Sequence, residues 1–187
     1  MINHIPVLTT IAHAVRTVCS DTGLRDYQLT LYNAVQDAWC AGNRNVLAVL
    51  PTGGGKTRIV SAIVRDHQAP SITIAHRQEL VSQISLAFAH NGVRHRIIGP
   101  NKLIRMIVQL HMVEVGTSLY DPNARAAVAG VDTLVRRGAE LARYLPTVTL
   151  WVQDEAHHVL KDNKWGKAAQ MLPNAKGLGV TATPSRA

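Results

Sequence analysis

Short apolar runs alternate along this chain with longer stretches whose apolar positions recur every three to four residues. Val46 to Leu50 is an unbroken apolar run between Asn45 and Pro51. Ser71 to Ala75, Arg96 to Ile98, Ala126 to Ala129 and Val148 to Val152 read similarly, and Gly177 to Thr181 more weakly. Runs without polar alternation suit strands covered on both faces, the situation of parallel strands between two layers of helices. Between them, Arg77 to His90 carries Leu80, Ile84, Ala87 and Phe88 on one helical stripe. That stripe ends at Asn91-Gly92, a pair suited to the left-handed turn that stops a helix. Thr57 to His67 sets Ile59, Val60, Ile63 and Val64 toward a core, and residues 102–115 form a third helical stretch that core packing explains. The first twenty residues read as a separate amphipathic helix. The pattern predicts an N-terminal helical extension over residues 1–22 and one α/β domain over 23–187, with a mostly parallel sheet and helices on both faces.

Composition sharpens this picture. The chain has 187 residues, 47% apolar and only 4% aromatic. It can bury a core, which excludes a disordered or collagen-like chain, and that core must rest on Val, Ile, Leu and Ala. No apolar run approaches the roughly 18 residues of a membrane-spanning helix. The start lacks the cationic region of a secretory signal. Cys19 and Cys40 have no metal-ligand spacing, and the nine histidines are scattered without a cysteine partner, so zinc is not indicated. A soluble cytoplasmic domain with no membrane partner is expected. The net charge of +8 fits an anionic partner such as nucleic acid.

Chemistry enters directly after the first strong strand. Pro51-Thr52-Gly53-Gly54-Gly55-Lys56-Thr57 lies between an apolar run and a helical pattern. A strand-to-helix turn of this kind points backbone N–H groups at one spot, where the helix dipole also favours an anion. Glycines permit the close approach of phosphate oxygens and the unusual backbone angles required. Lys56 then offers a point charge to the β- and γ-phosphates, and Thr57 a hydroxyl to Mg²⁺. The strict G-x-x-x-x-G-K-[ST] pattern would place glycine at position 50, where this chain has Leu50. A second site candidate closes the run Val148 to Gln153, which leads into Asp154-Glu155-Ala156-His157-His158. Carboxylates at the C-terminal edge of a parallel strand stand at the rim where open α/β sheets bind ligands. Asp154 can hold hydrated Mg²⁺, Glu155 can orient and deprotonate an attacking water, and His157 can sense the γ-phosphate.

Taken in order, PTGGGKT, DEAH and Thr181-Ala182-Thr183-Pro184 resemble motifs I, II and III of the superfamily 2 helicases and translocases. Leu24-Arg25-Asp26-Tyr27-Gln28 is similar to that superfamily's adenine-recognition element. Ala75 to Leu80 and Val131 to Leu134 stand where motifs Ia and Ib belong. The resemblance covers residues 24–184 and implies the first RecA-like P-loop domain. Within the superfamily, the chain most resembles the DNA-directed restriction-subunit and RadD-like members, which favours DNA over RNA by analogy.

The resemblance also implies roles. Gln28 would read the adenine edge and Arg25 would lie against the base. Thr52, Gly53, Gly54, Gly55, Lys56 and Thr57 would wrap the phosphates of ATP, with Thr57 and Asp154 on Mg²⁺. Thr181 and Thr183 would couple the nucleotide to nucleic acid, which His76, Arg77, Gln78 and Thr133 would hold. Gly130 and Asp132 depart from the residues usual in motif Ib. Arg136-Arg137 suits either a strand-backbone contact or a solvated helix face, and residues 99–125 either a partner element or extra packing. The chain stops three residues after TATP, so a second RecA-like domain is expected C-terminal to it, and these residues alone are expected to hydrolyse ATP weakly or not at all. RNA remodelling, or nucleotide binding without hydrolysis, are the competing functions.

Overall fold

A computed structural model describes residues 23–154, 156 and 164–182, together with the backbone of residues 7–9. Seven strands form one sheet: β1 (Val7–Thr9), β2 (Asn45–Val49), β3 (Ser71–Ala75), β4 (His95–Ile98), β5 (Ala126–Gly130), β6 (Leu150–Asp154) and β7 (Lys176–Thr181). Their order is β1-β2-β7-β6-β3-β5-β4, and every neighbouring pair is parallel. Among the described residues six helices connect them: α1 (Asp26–Cys40), α2 (Lys56–Asp66), α3 (Gln78–His90), α4 (Asn101–Val115), α5 (Val131–Arg136) and α6 (Lys164–Gln170). This is the expected α/β architecture.

Two separate cores show why the strands lack polar alternation. On one face Ala126, Val128, Leu150, Val152, Leu178 and Val180 pack against α1 to α4. On the other, Ile72, Ile74, Ala127 and Ala129 pack against Leu134 of α5 and Ala168 of α6. Each strand must therefore be apolar on both sides. In α2, Ile59, Val60, Ile63 and Val64 are all buried as their spacing predicts. Each such side chain contributes ~1.5–3 kcal/mol relative to an exposed one. Helix α3 stops as anticipated: Gly92 has φ +69°, its N–H bonds Ala89 O at 3.0 Å, and Val93 N–H bonds Phe88 O at 2.9 Å. Together they form a Schellman closure. Helix α4 fills the 99–125 link and buries Leu103, Ile107 and His111.

The N-terminal expectation needs correction. Val7–Thr9 form a strand paired with Leu47 to Val49, where the periodicity predicts helix. Sheet pairing extended by a three-residue edge strand overrides a weak helical pattern; the rest of residues 1–22 lie outside the described residues. No helix among the described residues is long and apolar enough to cross a membrane.

Because all strands run the same way, the ends of β2, β3, β5, β6 and β7 emerge along one edge of the sheet. Ala48 and Asp154 both pair with Val180, which separates them by two strand spacings, roughly 10 Å. That register sets the site.

Candidate functional site

The turn after β2 is built by glycine. Gly53 and Gly55 have φ of +80° and +77°, in the left-handed region, where a Cβ costs roughly 1–2 kcal/mol. Gly54 N–H closes the turn onto Pro51 O at 2.9 Å. Gly55 is the N-cap of α2, and no side chain caps that helix. Its first-turn N–H groups and the positive end of its dipole therefore face the turn.

A second layer holds the turn from outside. Gln28 is buried at 4% exposure; its amide Nε2 donates to Gly54 O at 3.1 Å, and its Oε1 accepts from Arg25 N–H at 3.0 Å. Tyr27 Oη–H donates to the same Gly54 carbonyl at 3.2 Å. A Cβ placed on Gly55 would overlap the Gln28 amide nitrogen. Gln28, expected at the adenine, thus also acts as a strut beneath the loop. One N–H and one oxygen lone pair of its amide remain after these bonds. Nothing in the sequence spacing of Tyr27 signals a hydroxyl aimed at residue 54.

Inside the turn, Lys56 and Thr57 from α2, Thr73 from β3 and Asp154 from β6 line one cleft. Val60, Ile84, Val152 and Val180 form its apolar wall. The phosphate-loop cation and the strand-end carboxylate, far apart in sequence, thus meet on one side of the sheet. Of the remaining expected residues here, Thr181 is fully buried on β7. Glu155, His157 and Thr183 lie outside the described residues.

The donor set suits magnesium. A hydroxyl and a carboxylate are hard oxygen ligands, and Mg²⁺ is typically held by one or two carboxylates plus substrate phosphates. Among the described residues no group of three His, Cys, Asp or Glu could cage a metal instead.

A model of the ResIII family, described as type III restriction enzyme, res subunit, matches residues 21–186. The chain belongs to this family. It is an N-terminal RecA-like domain of the superfamily 2 helicases. Among its relatives, Dicer-like protein 1 of Aspergillus fumigatus is 27% identical over 199 residues, covering 93% of this chain and 12% of that protein. The DNA 3'-5' translocase XPB2 of Sulfurisphaera tokodaii is 30% identical over 163 residues, covering 87% of this chain and 31% of that protein. The chain therefore spans about an eighth to a third of these curated relatives. The crystal structure of the Pyrococcus furiosus Hef helicase domain superposes with a TM-score of 0.63 at 22% identity, over 88% of this chain and 34% of that one. At that identity the likeness shows the shared fold.

This ResIII domain has a second pocket further along the same edge. His76, Arg77, Gln78 and Glu79, at the end of β3 and start of α3, meet Gly130 at the end of β5 and Asp132, Thr133 and Arg136 of α5. All four expected nucleic-acid residues are thus brought together, with Arg136 added from the exposed face of α5. Asp132 is turned aside by an ion pair to Lys164 Nζ at 3.0 Å. Arg137 instead pairs with Glu140 at 2.7 Å.

One polar cluster was invisible in the sequence. The rings of His95 and His111 are 5.5 Å apart, and both residues are fully buried. The bonds fix a directed chain. His95 Nδ1–H donates to Val93 O at 2.8 Å, leaving Nε2 to accept from Ser85 Oγ–H at 2.6 Å. Ser85 Oγ in turn accepts from His111 Nε2–H at 3.1 Å. Burial is the main reason the His95 pKa falls to about 4, opposed by the Val93 carbonyl and assisted by His111.

Proposed function

We propose that this chain is the ATP-binding and hydrolysing part of a DNA helicase or translocase, working against a second RecA-like domain outside these 187 residues. The observation that carries the reading is the shared cleft of Lys56, Thr57 and Asp154. Bound Mg²⁺ would supply charge neutralisation across the β- and γ-phosphates. Thr57 and Asp154 are the residues to hold it.

The chain's own groups have distinct tasks. Lys56 places an ammonium against the β- and γ-phosphate oxygens, while Thr52, Gly53, Gly54 and Gly55 let the backbone close around them. Gln28 supports the loop and offers its remaining amide sites to the base, with the exposed Arg25 guanidinium beside it. Glu155, next in the chain to Asp154, orients and deprotonates the attacking water, and His157 reports the γ-phosphate. Thr181 and Thr183 pass that state toward the second pocket. There His76, Arg77, Gln78 and Thr133 hold the phosphates of a strand, aided by the N–H groups at the start of α3. Supports for DNA are the +8 net charge, which favours a polyanion, and the similarity to a DNA 3'-5' translocase.

The test is ATP hydrolysis by the whole protein with no nucleic acid, with DNA and with matched RNA. Stimulation by DNA above RNA, lost in Lys56→Ala and Glu155→Gln, is expected. Hydrolysis indifferent to both polymers would count against the motor reading, and equal or greater stimulation by RNA against the polymer assignment.

A further inference from the structure

We propose that Thr73 is a positioning residue of the nucleotide–magnesium site, a role that no sequence motif marks. The inference rests on the nucleotide reading above. Thr73 sits in the middle of β3, a strand buried along its whole length, and is itself 1% exposed. Its hydroxyl is buried and has no hydrogen-bond partner. Two other buried hydroxyls are satisfied internally: Ser61 donates to Thr57 O at 2.7 Å and Ser82 to Gln78 O at 3.1 Å. Ser71, also without a partner, is not among the cleft-lining residues, whereas Thr73 is. An unpaired buried hydroxyl costs stability, and valine would fill the same volume without that cost. A threonine here therefore points to a polar group that enters the cleft.

Register identifies which group. Thr73 pairs with Val152, so its side chain shares a face with Val152 and with Asp154, two residues further along β6. One strand across and two residues along places the Thr73 and Asp154 α-carbons roughly 8 Å apart. That separation accommodates one water between the two side chains. With hydrated Mg²⁺ present, the hydroxyl oxygen would accept a hydrogen bond from a water shared with Asp154. Its task is to fix the orientation of that water, with Lys56 and Thr57 facing it from α2.

The experiment compares Thr73→Val, which removes the hydroxyl at constant volume, with Thr73→Ser, which keeps it. ATP affinity is measured by calorimetry at saturating Mg²⁺ and in EDTA, alongside thermal melting, for both variants, wild type and Lys56→Ala. Thr73→Val should lose about 3- to 10-fold of the Mg²⁺-dependent gain in affinity, the worth of one hydrogen bond. Its affinity in EDTA should not change, and its melting temperature should equal or exceed wild type. Thr73→Ser should recover most of the gain. An unchanged Mg²⁺ gain in Thr73→Val, with Lys56→Ala impaired, overturns the role of Thr73 alone. So does a fall in melting temperature that accounts for lost binding. Wild type without Mg²⁺-dependent ATP binding overturns the nucleotide reading and this inference together.

Discussion

Two buried polar clusters in this domain solve opposite problems. Ser85, His95 and His111 close on one another and on the Val93 carbonyl where α3, β4 and α4 meet, and none of the three lines the cleft. Lys56, Thr57, Thr73 and Asp154 instead surround a space. In the first cluster, the two bonds of the Ser85 hydroxyl fasten β4 to α3 and α4, with His111 Nδ1 the atom left without a partner, and the low dielectric makes each bond more consequential. In the second, the Thr73 hydroxyl is left without a partner, in a cleft that Lys56 and Asp154 also line. A fold can carry such unsatisfied groups only in small number. The Thr73 hydroxyl lines the cleft beside the glycine turn, and that placement distinguishes a place for a ligand from a structural network.

That contrast can be broken from either side. The largest effect expected is on folding at low pH. His95 is neutral when buried, with a pKa near 4 against an ordinary 6.5. Above pH 6.5 both folded and unfolded chains carry it neutral. As the pH falls below 6.5 the unfolded chain takes up the proton first, so stability declines until about pH 4. The loss is on the order of 3 kcal/mol. Histidine ring NMR and thermal melting over that interval would check it; a His95 ring titrating near 6.5 would remove the closed cluster from the account. Next in size, Lys56→Ala should weaken ATP binding on the order of 100-fold, the worth of a charge-assisted contact, without lowering the melting temperature. Parallel loss of stability would make Lys56 a structural residue. Smaller again, Ser85→Ala should cost ~1–3 kcal/mol by stranding both imidazoles, and should leave ATP affinity at the wild-type value. Impaired nucleotide binding in that variant would erase the distinction between the clusters.

The same contrast explains what could be read in the sequence. Gly53, Gly54, Gly55, Lys56 and Thr57 were legible because backbone geometry demands residue types at fixed spacing, directly after an apolar strand. Strand β3 was legible to the residue, Ser71 to Ala75, because both faces are buried. Strand β6 begins two residues later than the apolar run predicts: Val148 is fully buried, yet it follows the 3₁₀ turn Leu145–Thr147 and packs there before the strand begins at Leu150. Helix α1 gave little signal, since its buried positions include Gln28 beside Leu31 and Val35. The histidine cluster gave none, because Ser85 meets partners 10 and 26 residues away. Thr73 was hidden by its neighbours: one threonine in an apolar run reads as an ordinary β-branched strand residue.

The claim beneath all of this is that the amides around Lys56 and the carboxylate of Asp154 serve one nucleotide. A crystal structure of the protein with a non-hydrolysable ATP analogue and Mg²⁺ tests it most directly. The account predicts the β- and γ-phosphates against Lys56 and the Gly53–Gly55 amides, with the metal between those phosphates and Asp154, directly or through one water. A nucleotide seated elsewhere, or a metal with no path to Asp154, would contradict it.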